Sequence, residues 1–191
     1  MQDPHLNYPI ASIKQLRSMT AGENHEPLVD LNKLDSEIIC DYRRTDSSDT
    51  KILVRETIAR KLINVQARLS KHNPYMQLIV VEGYRSPNYQ VTYYLSQLLI
   101  QKEKHPKLGF DELLELTSQF VALPSVAGHP TGGAVDLTIG LNHQEVDMGG
   151  SIADFSRPER LPTHSKEVSQ EQAQYRKLLH DLMCEEKFAP F

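Results

Sequence analysis

The chain of 191 residues has no tryptophan, only two cysteines and no apolar run of about 18 residues. Cys40 and Cys184 cannot make a disulfide framework, which fits a reducing compartment or buried thiols. Without a long apolar run, no helical membrane span is expected. There is no excess of positive charge either. The net charge is −4 with acids and bases intermixed, which argues against a nucleic-acid surface. The start, Met1-Gln2-Asp3-Pro4-His5, carries neither the basic nor the apolar segment of an export signal. The expected location is therefore the cytoplasm, or the periplasm if a signal has been removed. No phosphate loop, nucleophile elbow or internal repeat is present. The length and the 39% of hydrophobic residues suit one domain over residues 1–191 with a substantial core.

What is there centres on Gly128-His129-Pro130-Thr131-Gly132-Gly133-Ala134-Val135-Asp136. From Ala134 the pattern alternates, with Val135, Leu137 and Ile139 on one face and Asp136 and Thr138 on the other. Asp136 thus points away from the apolar face. Fully extended, the backbone would carry His129 roughly 23 Å from it. Pro130, Gly132 and Gly133 favour a reversal instead, which brings imidazole and carboxylate within reach of one ion at about 2.0–2.2 Å each. A lone histidine–aspartate pair more often satisfies turn amides. The strand alternation, the reversal and a second cluster upstream favour the metal reading.

That cluster, Glu82-Gly83-Tyr84-Arg85-Ser86-Pro87, follows the apolar run Leu78-Ile79-Val80-Val81. It predicts a buried strand, then a helix with Ser86 as its N-cap and Pro87 at its first position. Arg85 falls at the junction. There it could merely pair with a carboxylate, or offer planar donors to a developing oxyanion.

Together these residues resemble the D-alanyl-D-alanine dipeptidases of the vancomycin-resistance type. Those enzymes carry an acidic-Gly-Tyr-Arg-Pro segment, then Ser-x-His-x-x-Gly-x-Ala-x-Asp, then Met-Gly before Asp-Phe. The counterparts are Glu82 to Arg85 (with Pro87 one place late), His129 to Asp136, and Met148-Gly149 before Asp154-Phe155. The order and approximate spacing match from about residue 50 onward. The resemblance implies an α+β, hedgehog-like zinc fold, one Zn2+ held by His129 and Asp136, catalytic Arg85, and Asp154 holding the α-ammonium of a dipeptide substrate. It also implies a third ligand and a catalytic Glu from a Glu-Trp-Trp-His strand, for which this chain has no counterpart, so its domain is expected to lack the last strand or strands. Ala127 stands where the family has serine, although Ser125 is near. By itself the chain is expected to be a poor catalyst, because catalytic zinc usually has three protein ligands. A D,D-carboxypeptidase, an L-Ala-D-Glu endopeptidase and a non-catalytic metal-binding module are the alternatives.

Elsewhere the residues predict scaffold. Leu28–Leu31 and Glu37–Tyr42 read as short strands, residues 46–49 as a turn, and His5 and His25 as surface side chains. Residues 51–72 read as one helix with a buried stripe at Ile58, Leu62, Val65 and Leu69. A strand over 76–82 and a helix over 87–104 follow, the latter burying Val91, Tyr94, Leu95, Leu98 and Leu99. Asp111 is expected to cap a short helix to about Phe120. Asn142-His143 reads as a hairpin turn leading to a strand around Glu145–Met148, with His143 a weak candidate for the third ligand. Residues 149–168 form a long loop, and such loops usually perform a task. Ser169 and Gln172 make a capping box for a last helix to about Glu186, on which His180 is expected to be exposed, as is His164 in the loop. The architecture expected is α+β, a small, mostly antiparallel sheet flanked by helices.

Overall fold

The computed structural model describes residue 18, residues 24–44 and residues 50–190. The readings made for His5 and for residues 46–49 lie outside them. Among the described residues, six short strands and four helices of defined extent build the α+β architecture that the sequence predicts. In chain order they are β1 (Leu28–Asp30), β2 (Ile39–Cys40), β3 (Leu53–Arg55), α1 (Glu56–His72), β4 (Met76–Glu82), α2 (Pro87–Lys104), α3 (Phe110–Ser118), β5 (Asp136–Leu141), β6 (Gln144–Glu145) and α4 (Gln170–Glu185). The main sheet has the order β2-β4-β5-β6, and β1 pairs with β3 in a separate ribbon. All pairings are antiparallel except β2 with β4, which is parallel.

Burial follows the helical stripe. Leu62, Val65 and Leu69 of α1 are fully buried against Leu78 and Val80 of β4, Ile139 of β5 and Leu182 of α4. Gln66 is the one polar member of that stripe, and its amide is spent on the edge of the sheet. Its Oε1 accepts from the Leu78 amide at 2.7 Å and its Nε2 donates to the Met76 carbonyl at 3.2 Å. That matching keeps a buried amide from being left unpaired.

Three expectations are corrected. The helix over 51–72 begins at Glu56, because Leu53-Val54-Arg55 is β3 and its neighbour Ile52 is buried with Val54. A run of branched residues that can pair with Leu28–Asp30 gains more as a strand than as a helix turn. Asp111 lies inside the first turn of α3, and the N-cap is Gly109, whose amide donates to Glu112 Oε2 at 2.9 Å. In α2 Tyr94 is buried and Leu98 half-buried, but the other apolar residues expected on the buried side are not. Val91, Leu95 and Leu99 are exposed, whereas Gln90, Tyr94, Gln97 and Gln101 are buried, the side facing α3.

One irregularity positions the site. The β4–β5 register runs Leu78↔Ile139, Ile79↔Thr138, Val80↔Leu137 and then jumps to Glu82↔Asp136. Val81 is passed over, as in a β-bulge, and Glu82 is thereby turned onto the face carrying Asp136. Without that extra residue Val81 would sit opposite Asp136 and the acidic side chain would point into the core.

Candidate metal centre

His129 is the first residue of a one-turn 3-10 helix (His129–Thr131) that Gly132 ends with φ +72, a conformation glycine adopts without strain. The reversal is tied to its surroundings by main chain. Gly132 carbonyl accepts from the Arg55 amide at 3.0 Å, Arg55 Nε donates to Thr131 carbonyl at 2.8 Å, and His129 carbonyl accepts from the Arg85 amide at 3.2 Å. The imidazole is thus carried back to the start of β5, where Nε2 stands 3.5 Å from Asp136 Oδ1. The proline–glycine turn does what its composition predicts.

The other ring nitrogen decides the chemistry. Nδ1 lies 2.7 Å from the Gly83 carbonyl, which can only accept, so Nδ1 carries the proton. In the neutral ring Nε2 is then a bare acceptor aimed at a carboxylate. Two acceptors at this distance need a proton or a cation between them. Burial works against the imidazolium of His129 and is outweighed by Asp136 and the Gly83 carbonyl, so its pKa is raised. Burial likewise disfavours the Asp136 carboxylate, yet His129, Arg44 and Arg85 together hold its pKa below the ordinary value.

The pair also fits zinc. Donors at about 2.0–2.2 Å from one ion, at a tetrahedral angle, stand about 3.3–3.6 Å apart. The 3.5 Å separation falls in that range. The carbonyl behind Nδ1 is the outer partner that metal-binding histidines generally have. Among the described residues no group of three His, Cys, Asp or Glu side chains could hold a metal, and His129 and Asp136 bring two possible donors together.

Arg85 lies beneath this pair, buried with Glu82. Its Nε donates to Glu82 Oε1 at 2.7 Å and its Nη2 to Oε2 at 2.6 Å, a two-pronged clamp. Nη1 donates to Gln90 Oε1 at 2.8 Å, and Gln90 in turn donates to the Ala122 carbonyl at 2.8 Å. Three of the five guanidinium N–H groups are thus engaged. The clamp can form because the strand turns sharply at Gly83, where a Cβ would come within 2.4 Å of the Leu53 carbonyl.

Arg44 is what sequence reasoning missed. Its Nε is 3.3 Å from Glu82 Oε2 and 3.7 Å from Asp136 Oδ2, and its Nη2 donates to Tyr93 Oη at 3.3 Å. Arg44 and Arg85 both lie against the Tyr93 ring, at 6.0 and 4.9 Å from its centroid. No local pattern could have found Arg44, since it stands 92 positions before Asp136 and meets it only through the sheet.

Asp154 is placed differently. It is exposed in the 149–168 loop, and its Oδ1 accepts from the Ser156 amide at 2.9 Å. Hydrogen bonds from Ser156, first its side chain and then the amide of this Asx turn, hold the Asp154 pKa below the ordinary value. The loop is anchored by Arg176, which donates to the carbonyls of Met148 (2.7 Å), Arg160 (2.7 Å) and Pro162 (2.9 Å). Its Phe155 packs edge-on against Phe120, 5.4 Å between centroids, close in sequence to the Ala122 that supports Gln90. His143 forms the β5–β6 turn with Asn142, both at positive φ, beyond the opposite end of β5 from Asp136. His164 is exposed as expected, but His180 is not. It is 8% exposed, with Cys184 Sγ 3.6 Å from its Nε2 and the His164 ring packed edge-on against it. The turn of the helix aims it inward beside Leu182.

No family model matches the chain, and no curated protein is similar to it. Among solved structures it is similar to the vancomycin-resistance D,D-pentapeptidase VanY of a VanB-type resistance cassette, a mutant in complex with Zn(II). The identity is 18% and the TM-score 0.39 over 60% of this chain. The match spans 58% of that structure, so the chain covers less than two thirds of its length.

Proposed function

We propose that this protein is a zinc metallopeptidase of the D-alanyl-D-alanine type, acting on a free dipeptide, with His129 and Asp136 as two of its metal ligands. The observation that carries the reading is the His129 Nε2–Asp136 Oδ1 approach of 3.5 Å with the opposite ring nitrogen on a carbonyl. The three motifs in register, from Glu82 to Phe155, support the substrate class.

Bound zinc supplies Lewis-acid activation of water and of the scissile carbonyl. The protein's own part is electrostatic and geometric. His129 presents the unprotonated Nε2, because the Gly83 carbonyl keeps the proton on Nδ1. Asp136 turns Oδ1 towards it while Oδ2 faces Arg44. Arg85, fixed by Glu82 and Gln90, keeps a positive charge beside the pair where an oxyanion develops, a contribution of about 2.7–4 kcal/mol when such a donor is removed. Asp154, on the loop rim, attracts the ammonium of a free dipeptide. The third metal ligand and the general base come from outside the described residues.

The test is release of D-alanine from D-Ala-D-Ala and from a longer peptide ending in the same two residues, with zinc titrated in parallel. Weak zinc binding, lost in His129→Ala, is expected, with whatever turnover there is confined to the dipeptide. Faster cleavage of the longer peptide, unaffected by Asp154→Ala, would instead mark a carboxypeptidase. Tight 1:1 zinc binding together with rapid hydrolysis would show an internal third ligand and overturn the incompleteness of the site.

A further inference from the structure

The bulge in β4 places Glu82 directly opposite Asp136. Like charges so placed on neighbouring strands repel. Two guanidinium groups offset this, and they do so unequally. Arg85 takes both oxygens of Glu82. Arg44 spans the two carboxylates, 3.3 Å from Glu82 Oε2 and 3.7 Å from Asp136 Oδ2, and is steadied at its far end by Tyr93 Oη. Its approach to Asp136 is an ion pair rather than a hydrogen bond, on the oxygen away from His129.

From this arrangement we infer that Arg44 is a positioning residue for the metal site: by holding Asp136 Oδ2 it directs Oδ1 at the ion shared with His129. The inference rests on the zinc reading above and adds to it the group that orients the carboxylate ligand. An unheld carboxylate on the end of a strand would rotate about χ2 and turn towards water. A guanidinium on its outer oxygen removes that freedom and leaves the inner lone pairs for the ion. Arg85 acts on Asp136 from farther off, its clamp being on Glu82. Arg44 is on the 3-10 turn that follows β2, and the Asp41 amide on the same segment donates to the Val80 carbonyl at 2.9 Å. The arm is therefore mounted on the same sheet as its target.

The experiment is a zinc titration of the full chain against a chromophoric competitor, for wild type, Arg44→Gln, Asp136→Ala and the double variant. Removal of an outer partner typically weakens metal binding about 10–100-fold. Arg44→Gln is expected to do so, with the metal-free melting temperature and far-ultraviolet dichroism little changed. In the Asp136→Ala background the same substitution should change zinc binding by less than about twofold, because the group through which it acts is gone. Equal losses in the two backgrounds, or zinc binding by Arg44→Gln within twofold of wild type, would overturn the inference. Should Arg44→Gln fail to fold, Arg44→Lys in both backgrounds carries the same comparison. It keeps the charge without the fork, so a smaller loss confined to wild type is expected, and no loss refutes the role. If His129→Ala binds zinc as wild type does, the metal-centre reading itself is wrong and this inference falls with it. If only the Arg44 variants are silent, that reading stands and the positioning role alone is rejected.

Discussion

Asp136 and Asp154 are two aspartates given roles in one reaction, and the molecule treats them in opposite ways. Asp136 opens a strand in the middle of the sheet, with His129, Arg44 and the Glu82–Arg85 clamp around it. Asp154 is exposed on a long loop, with its carboxylate hydrogen-bonded to Ser156 two residues on. A metal ligand must be held to within a few tenths of an ångström, which regular structure and paired charges supply. A residue that meets a flexible, charged substrate can sit on a loop that closes around it. The contrast explains why the two carboxyl groups share a lowered pKa for unrelated reasons. For Asp136 the lowering survives burial because of three cationic neighbours, and for Asp154 it comes from hydrogen bonds made in water.

The sharpest way to break the comparison is at the ligands. His129→Ala or Asp136→Ala should weaken zinc binding by more than the 10–100-fold typical of outer partners, while Asp154→Ala should leave it unchanged. Competition titration checks all three. Next in size is Arg85→Ala, which leaves the buried Glu82 carboxylate to Arg44 alone and should cost up to about 3–5 kcal/mol in urea unfolding. Gly83→Ala puts a methyl group 2.4 Å from the Leu53 carbonyl, with Val54 also close, and should lower stability by about 1–3 kcal/mol while displacing the His129 acceptor.

The pH dependence is subtler. His129's raised pKa contributes stability that is fully present below its ordinary value of 6.5 and is lost as pH rises through the folded value. Asp136's lowered pKa contributes stability present above its ordinary 3.8 and lost as pH falls through the folded value. The metal-free protein should therefore draw most from the pair between about pH 4 and 6.5, and His129→Gln should flatten that part of a melting-temperature profile. Zinc affinity should run the other way above pH 6.5, strengthening as Nε2 loses its proton. The smallest effect is Asp154→Ala on stability, which should leave the melting temperature essentially at the wild-type value, as for an exposed side chain.

Much of the scaffold was legible because it is written in period and caps. The stripe of α1, the Ser86 and Ser169 caps and the alternation at Val135, Leu137 and Ile139 all report local backbone geometry. The apolar residues of α2 misled, since its buried side, the one facing α3, is a row of glutamines and a tyrosine. Periodicity says that a helix has two faces and leaves open which one is covered. His180 misled for the same reason, its late position suggesting water where the helix turns it beside Leu182.

The motif residues themselves, His129, Asp136, Glu82 and Arg85, were singled out from local patterns together with the family resemblance, because a glycine–proline reversal and a strand-to-helix junction are short-range events. Their wiring was not. That Glu82 faces Asp136 depends on one skipped residue in a pairing 54 positions apart, and that Arg44 bridges them depends on a parallel strand arriving from elsewhere. Residue order determined which groups could take part, through backbone preferences acting over a few bonds. The sheet decided which of them meet, because charge and hydrogen bonding act only over the few ångströms that folding creates.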